Sequence, residues 1–390
     1  MKKRVLLIHN FYQIGGGEHT VFENEHNLLL KNGHEVFVYS RDNDELKHSV
    51  WKLLCLPFTT TWSFKTYFEV RNTIKRQGID IVHCHNTFPL ISPSVYYAAR
   101  SLKVPVVQTI HNFRFLCPNG LFFCDGAICE QCRESGSFVP AVKKSCYRGS
   151  SLQTAVVAVM LRIHRILGTY RKINYIFLTD FNKQKFDKLI DVYGNNVFVK
   201  PNFIPENGLC VQSKPEKPIF VYAGRLDKNK GIDFLLEAWK KMPGEYELHI
   251  FGDGAYKQEC EVAASEQKNI RFLGFRPQKE VLEVLSNASV LVYPSVWYET
   301  FGMSWAESFS LGRPALVPAL GNHGEFVTQS QGGLTYESGN IDAFCRAAKK
   351  LIENWETYSN NAWQFFEKNL RADSNYEKLS GIYDEVKHIR

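Results

Sequence analysis

The sequence predicts an α/β protein made of two doubly wound parallel-sheet domains, and three observations carry that prediction. Short buried apolar runs alternate with amphipathic helical stretches in both halves of the chain. The alternation breaks once, in a polar stretch holding Pro201, Pro205, Pro215 and Pro218, and then starts again. The length of 390 residues suits two domains of ordinary size. Strands alternating with helices imply a parallel sheet covered on both faces, and ligands of such sheets collect at the carboxyl ends of the strands. Two such domains facing each other would place those ends across a cleft.

In the first half, Arg4–His9 is a continuous apolar run, followed by the Gly-rich turn Gly15-Gly16-Gly17. Val21, Phe22, Leu28 and Leu29 then fit one face of a helix that Gly33 ends. Glu35–Ser40, Asp80–Cys84 and Val104–Ile110 read as further strands, with a helix over Ser94–Leu102. The second half repeats the scheme. Strands are expected at Ile219–Tyr222, Glu247–Phe251, Ile270–Leu273, Val290–Tyr293 and Ala315–Val317, and helices at Ile232–Lys241, Lys279–Leu285 and Glu307–Leu311. The predicted divisions are 1–203, 204–370 and a final helical segment, 371–390, that crosses back to the first domain.

Hydrophobic residues at 44% and charged residues at 22% describe a chain able to bury a full core. The net charge of +7 is unevenly placed, with 26 basic and 15 acidic residues in positions 1–200 against 21 and 25 in 201–390. No stripe of Lys/Arg interleaved with aromatics appears, which argues against nucleic acid as a partner. The basic first half suits an anionic partner such as a phosphorylated acceptor or the inner leaflet of a membrane. No apolar run approaches the roughly 18–20 residues that span a bilayer. The opening apolar run ends after four residues, so it reads as a strand and not a signal peptide, and a cytoplasmic protein with reduced cysteines is expected.

The densest chemistry lies in the second half. Gly224-Arg225-Leu226-Asp227-Lys228-Asn229-Lys230-Gly231 follows a strand directly and opens a helix, so Arg225 and Lys230 sit at a strand's carboxyl end. That placement suits a diphosphate, although a solvated surface turn would carry the same residues. Glu299-Thr300-Phe301-Gly302-Met303-Ser304-Trp305-Ala306-Glu307 sets one carboxylate in a loop and a second in the first turn of the following helix. Phe301-Gly302-Met303 between them offers bare backbone N–H groups at a helix start. Carboxylates accept hydrogen bonds from sugar hydroxyls. A capping carboxylate beside a core Phe would leave Glu299 and Gly302 without a purpose.

Taken in order, the early GGGE, GRLDKNKG, the FGDG turn at Phe251–Gly254, the FLGF strand end at Phe272–Phe275 and the Glu299/Glu307 pair resemble the retaining glycosyltransferases of family 4, also called glycosyl transferases group 1. The resemblance covers nearly the whole chain. It implies the GT-B architecture and transfer of a sugar from a nucleotide-sugar donor with retention and without a bound metal ion. By the same resemblance, Arg225 and Lys230 match the diphosphate-binding pair, Glu307 the carboxylate on the ribose, and Glu299 a residue contacting the donor sugar. Phe301, Gly302 and Met303 match the backbone around sugar and phosphate, and Gly16 and Gly17 the glycine loop of the first domain. Gly224, Gly252, Phe275 and Arg276 join the expected donor site, with backbone near Gly274–Arg276 meeting the base. His111 matches the histidine beside the reacting sugar, expected to orient the donor and not to attack it. The implied donor is a UDP-sugar first and GDP-mannose second, and the implied acceptor a glycan or lipid-linked intermediate of surface polysaccharide.

Competing readings are an epimerase or hydrolase of the same fold, and a non-catalytic partner subunit. The first should lack the Glu299/Glu307 loop and the second should have lost Arg225, Lys230 or Glu307; all are present. A dehydrogenase is disfavoured because the second strand runs into Arg41 where a ribose-binding acid would stand. His83 and His85 share a strand face, but no nearby acid completes a metal set, so they read as cleft or core residues. Cys117, Cys124, Cys129, Cys132 and Cys146 crowd an insertion at 112–148. Their one C-x₂-C knuckle suggests half of a structural zinc site; the alternative is a set of buried or incidental thiols. Finally, Leu152, Val156, Val159, Ile163, Ile166 and Tyr170 form an apolar helical stripe flanked by Arg162 and Arg165. It would either pack on the core or lie on an anionic membrane.

Overall fold

The computed structural model describes residues 2–13, 16–46, 50–190, 196–206, 208 and 213–386, and in it the chain divides into two compact units. One comprises Met1–Phe122, Glu130–Pro201 and Asn375–Arg390; the other comprises Phe123–Cys129 and Asn202–Ser374. The short segment Phe123–Cys129 thus groups with the second unit, where the sequence put the whole Cys-rich insertion in the first.

The first unit holds a six-stranded parallel sheet. Its strands are β1 (Arg4–Phe11), β2 (Glu35–Asp42), β3 (Ile81–Asn86), β4 (Val106–Ile110), β7 (Asn174–Phe177) and β8 (Val197–Val199), in spatial order β2-β1-β3-β4-β7-β8. Between β4 and β7 lies a small antiparallel pair, β5 (Phe123–Cys124) and β6 (Ala127–Ile128), which belongs to the second unit. Val5, Leu6, Leu7 and Ile8 are fully buried, as a strand covered on both faces requires. β7 and β8, at four and three residues, escape sequence reading because so short a run shows no period. The helix Gly17–Lys31 turns Val21, Phe22, Leu28 and Leu29 inward as expected, and Glu25 is buried on the same side. Leu379, Ile382 and Tyr383 of the helix Ala372–Glu385 join Val5, Leu7, Phe22 and Ile81 in this unit's core.

The second unit repeats the design with β9 (Ile219–Ala223), β10 (Glu247–Phe251), β11 (Ile270–Gly274), β12 (Val290–Val292), β13 (Ala315–Pro318) and β14 (Gly333–Tyr336), in the order β11-β10-β9-β12-β13-β14. Counted within the unit, that is the Rossmann order 3-2-1-4-5-6. Phe220, Ile232, Leu235, Trp239, Leu248 and Ile250 lie in its core. In each sheet the chain order reverses once, between β1 and β3 and between β9 and β12. Those two switch points are where a sheet of this kind opens a crevice beyond its strand ends.

Two helices differ from expectation. Met303–Ser310 starts one turn earlier than predicted, because Gly302 at φ +88° turns the chain directly from loop into helix. Glu307 therefore stands in the second turn, not the first. In Ser151–Ile166 the buried residues are Thr154, Val157, Ala158, Met160, Leu161 and His164. Of the predicted stripe only Tyr170, beyond the helix, is buried; Leu152 is 76% exposed and Ile166 72%. The apolar stripe of this helix faces outward.

Candidate active site

At the switch point of the second sheet, β9 ends and Gly224-Arg225-Leu226-Asp227 leads through the 3₁₀ turn Lys228–Lys230 into the helix Ile232–Trp239. The loop is held by backbone. Leu226 N donates to Asp253 O, Gly224 N to Phe251 O, and Tyr222 Oη to Arg225 O at 2.6 Å. Glycines permit this closeness. A Cβ on Gly252 (φ +144°) would stand 1.9 Å from Gly224 O, and one on Gly231 (φ +71°) 2.0 Å from Pro294 O.

Lys230 Nζ donates to Glu299 Oε1 at 2.5 Å, and the same oxygen accepts from Ser295 Oγ at 2.9 Å and Trp297 Nε1 at 2.5 Å. Lys230 also lies 5.7 Å from the Tyr293 ring centroid and 5.5 Å from that of Trp297. Burial alone would raise the Glu299 pKa. The Lys230 charge and the donated hydrogen bonds outweigh it and hold the carboxyl below its ordinary value. The carboxylate is thus ionised and held in place by its donors. Arg225 pairs with Asp227 at 3.0 Å and is mostly exposed.

The other donor residues predicted in the second half lie in the same unit, while Gly16 and Gly17 lie in the first. Gly302 caps the helix carrying Met303 and Glu307, while Phe301 is buried and its carbonyl accepts from Trp305 Nε1 and Asn322 Nδ2. Ser304 Oγ ties that helix to Ala223 O at the end of β9. Glu307 accepts from Gln278 Nε2, and burial pushes its carboxyl up. Gly274 at φ +68° ends β11, presenting Phe275 and Arg276 as exposed side chains.

In the first unit, His111 follows β4, and His9, His83 and His85 lie on β1 and β3. His111 Nε2 is 2.9 Å from His85 Nδ1, with the rings stacked at 5.1 Å. Burial holds the His111 imidazole well below the ordinary histidine range, so it is neutral. Gly16 caps the helix that begins at Gly17; its backbone is extended, and a Cβ there would meet nothing within 4 Å.

Sequence reasoning missed two groups. Glu25 lies 3.1 Å from His83 and 3.2 Å from His85, supplying the acid that seemed lacking. Sixty residues separate it from His85, so no spacing pattern reveals it. His323, on the helix Gly321–Ser330, is fully buried beside the Tyr293 ring. Neither ring nitrogen has a hydrogen-bond partner, and burial pulls its pKa down to about 4. Among the described residues, Glu25, His83 and His85 make the one group of three with ligand atoms within 4.8 Å of one another, and it contains no cysteine. Cys117 donates instead to Asn119 Oδ1, and Cys132 is buried within the helix Gln131–Ser135.

Two Rossmann-type units, each with polar side chains gathered at its switch point, define a GT-B protein. The chain matches the family model Glycosyl transferases group 1 over residues 210–363 and Glycosyltransferase Family 4 over residues 14–125, about two thirds of its length together. It belongs to these glycosyltransferases. Among relatives, an uncharacterized glycosyltransferase of Methanocaldococcus jannaschii is 24% identical over 378 residues, covering 91% of this chain and 90% of the relative. The alpha-monoglucosyldiacylglycerol synthase of Streptococcus pneumoniae is 23% identical over 75% of this chain and 66% of its own length. Among solved structures, Anabaena HepE in complex with UDP aligns with a TM-score of 0.67 at 15% identity, covering 99% of this chain and 100% of that one.

Proposed function

We propose that the protein is a retaining hexosyltransferase that moves a sugar from a nucleoside-diphosphate sugar to a glycan or lipid-linked acceptor of surface-polysaccharide biosynthesis. A UDP-sugar is the first candidate donor and GDP-mannose the second; that HepE was solved with UDP supports the order. The observation that carries the reading is the Lys230–Glu299 couple on a glycine-built loop at the second switch point. Lys230 and Arg225 would take the diphosphate as it leaves. Two unit charges 4 Å apart interact by about 1 kcal/mol in water but about 4 kcal/mol at an effective dielectric of 20, so placed cations can stabilise the departing group without a metal. Glu299 would hold sugar hydroxyls, Glu307 the ribose, and His111 would orient the donor. The diphosphate would leave and the acceptor attack on one face of the sugar, with no protein nucleophile.

The acceptor side of the reading rests on the first unit. Leu152, Val159, Ile163 and Ile166 stand outward, Trp51 and Phe58 are 77% and 79% exposed, and a groove of about 490 Å³ lined by Leu56, Pro57, Phe88, Leu152 and Val156 runs between those helices. No helix among the described residues is long and apolar enough to cross a membrane. An outward apolar face on a basic half suits a protein that rests on an anionic bilayer to reach a lipid-linked acceptor. A kinship with a diacylglycerol-glucoside synthase points the same way.

A thermal-shift panel of nucleotides and nucleotide sugars tests the donor. Selective stabilisation by one donor names it, and stabilisation by none sinks the reading. Glu307→Ala should abolish transfer with the fold intact. Flotation with anionic vesicles tests the membrane face, where Leu152→Glu with Ile166→Glu should release the protein.

A further inference from the structure

Between the helices Val50–Thr61 and Ser151–Ile166 the first unit keeps a groove of about 490 Å³, and its two ends differ in chemistry. At one end stand Gln13, Asn43 and Phe88, which follow β1, β2 and β3, so this end lies at the carboxyl edge of the sheet. Gln13 Nε2 donates to Asn43 O at 3.2 Å. The Tyr147 ring meets the Phe88 ring edge-on at 5.7 Å and brings Arg148 to the same end. Arg148 at φ +54° and Gly149 at φ +66° turn the chain there toward the second helix. At the other end Leu56 and Pro57 of one helix and Val156 and Val157 of the other line the groove.

Among the described lining residues Arg148 is the one charged group, and no carboxylate accompanies it. It is exposed and has no ion pair among the described residues, and its guanidinium lies 5.6 Å from the Tyr147 ring centroid. Its charge is therefore available to an anion at the groove's polar end. The apolar end is finished differently. The flanking helices turn Trp51, Phe58, Leu152 and Val159 outward, so a chain that leaves the groove continues over apolar surface. A ligand matched to both ends carries an anion and a long apolar chain. A free phosphate would leave the apolar walls wet, and a neutral chain would leave Arg148 without a counter-charge.

We propose that this groove binds a single-chain lipid phosphate, with the phosphate at Arg148 beside the strand ends and the chain between the two helices. It is a saturable site for one molecule, distinct from adsorption of the outer face on a bilayer. That the bound lipid is the acceptor rests on the glycosyl-transfer reading; the site itself does not. Each methylene drawn from water into the groove gains about three- to fourfold in affinity, up to the length that fills it.

Calorimetric titration of the intact protein with hexyl, octyl and decyl phosphate, each below its micelle concentration, tests the site. One molecule per chain is expected, with affinity rising about three- to fourfold per methylene. Inorganic phosphate at equal concentration should not compete. Arg148→Gln should weaken decyl phosphate about tenfold and leave decanol unchanged. Val156→Trp, which fills the groove, should weaken decyl phosphate by about tenfold or more. Affinity independent of chain length, or unchanged in a folded Val156→Trp, overturns the proposal. So does decanol binding as tightly as decyl phosphate, or an Arg148→Gln variant that binds decyl phosphate like the wild type. If Val156→Trp does not fold, photolabelling of the wild type with a diazirine-tailed decyl phosphate decides. Label confined to the segments that line the groove supports the site, and label elsewhere overturns it. Binding as expected with no sugar nucleotide turned over removes the transfer reading and leaves the site standing. No binding, with a sugar still transferred to a soluble glycan, removes the site and leaves the transfer reading.

Discussion

Each unit holds a Lys–Glu couple beside its parallel sheet, and the two couples differ in depth. Lys230 and Glu299 are 16% and 10% exposed, one carboxylate oxygen carries three donors, and the lysine lies against two aromatic rings. Lys200 and Glu25 are sealed, and every polar atom is spent on neighbours of the same unit. The same ion pair keeps some exposure where a loop carries it and is fully sealed where a helix buries it. Composition does not separate the two; depth does.

The comparison can be broken by single substitutions. The largest effect is expected at Lys230→Ala, which should lower turnover by about a hundred- to a thousandfold in a donor-saturated assay. Near-wild-type rates would deny the second couple its role. Lys200→Met should act on stability instead, costing about 3–5 kcal/mol in denaturant melts by leaving Glu25 buried without its partner. If Lys200→Met left stability unchanged, the first couple would not be sealed.

The glycines sharpen the contrast. Gly231→Ala forces a Cβ against Pro294 O at positive φ and should cost about 1–3 kcal/mol, read as a lowered Tm. Gly16→Ala meets open space and extended backbone, so Tm should move by less than about 0.5 kcal/mol equivalent. Lost turnover in Gly16→Ala at an unchanged Tm would mark that loop as functional.

The pH slope tests the contrast without any substitution. His9 and His83 in the first unit, each with a pKa of about 3, and His323 in the second, at about 4, are held below their unfolded value near 6.5 by burial. The unfolded chain therefore binds more protons between those limits. The stability these groups contribute is full above pH 6.5 and is lost as pH falls toward 4. Glu25 and Glu299 are also depressed, so their share is present above the unfolded carboxylate range and is lost at lower pH still. Hydrogen exchange at pH 7 and 5 should show the first unit, with more such histidines, losing protection before the second. Equal loss in both would contradict this.

Much of the second site was legible in the sequence. Arg225, Lys230, Glu299 and Glu307 lie within motifs that abut strands, and strand ends are readable from apolar runs. Glu25 was not. It occupies the inward face of a helix among Val21, Phe22 and Leu29, where periodicity expects an apolar residue, and its partner Lys200 is 175 residues away. The stripe of Ser151–Ile166 left two alternatives open for a related reason: a helical period finds an apolar face but not which neighbour covers it.

By itself, then, the sequence determined two parallel-sheet units, most of their longer strands, and the residues brought to the carboxyl ends of the second sheet. Those follow from local pattern, because burial period, turn glycines and charges at strand ends are neighbours along the chain. Only the tertiary structure decided which charges are sealed and which keep some exposure, which face of a helix is covered, and which groups meet around Glu25. Each depends on groups from separate elements meeting in a low-dielectric interior, where a single partner changes the state of a charge.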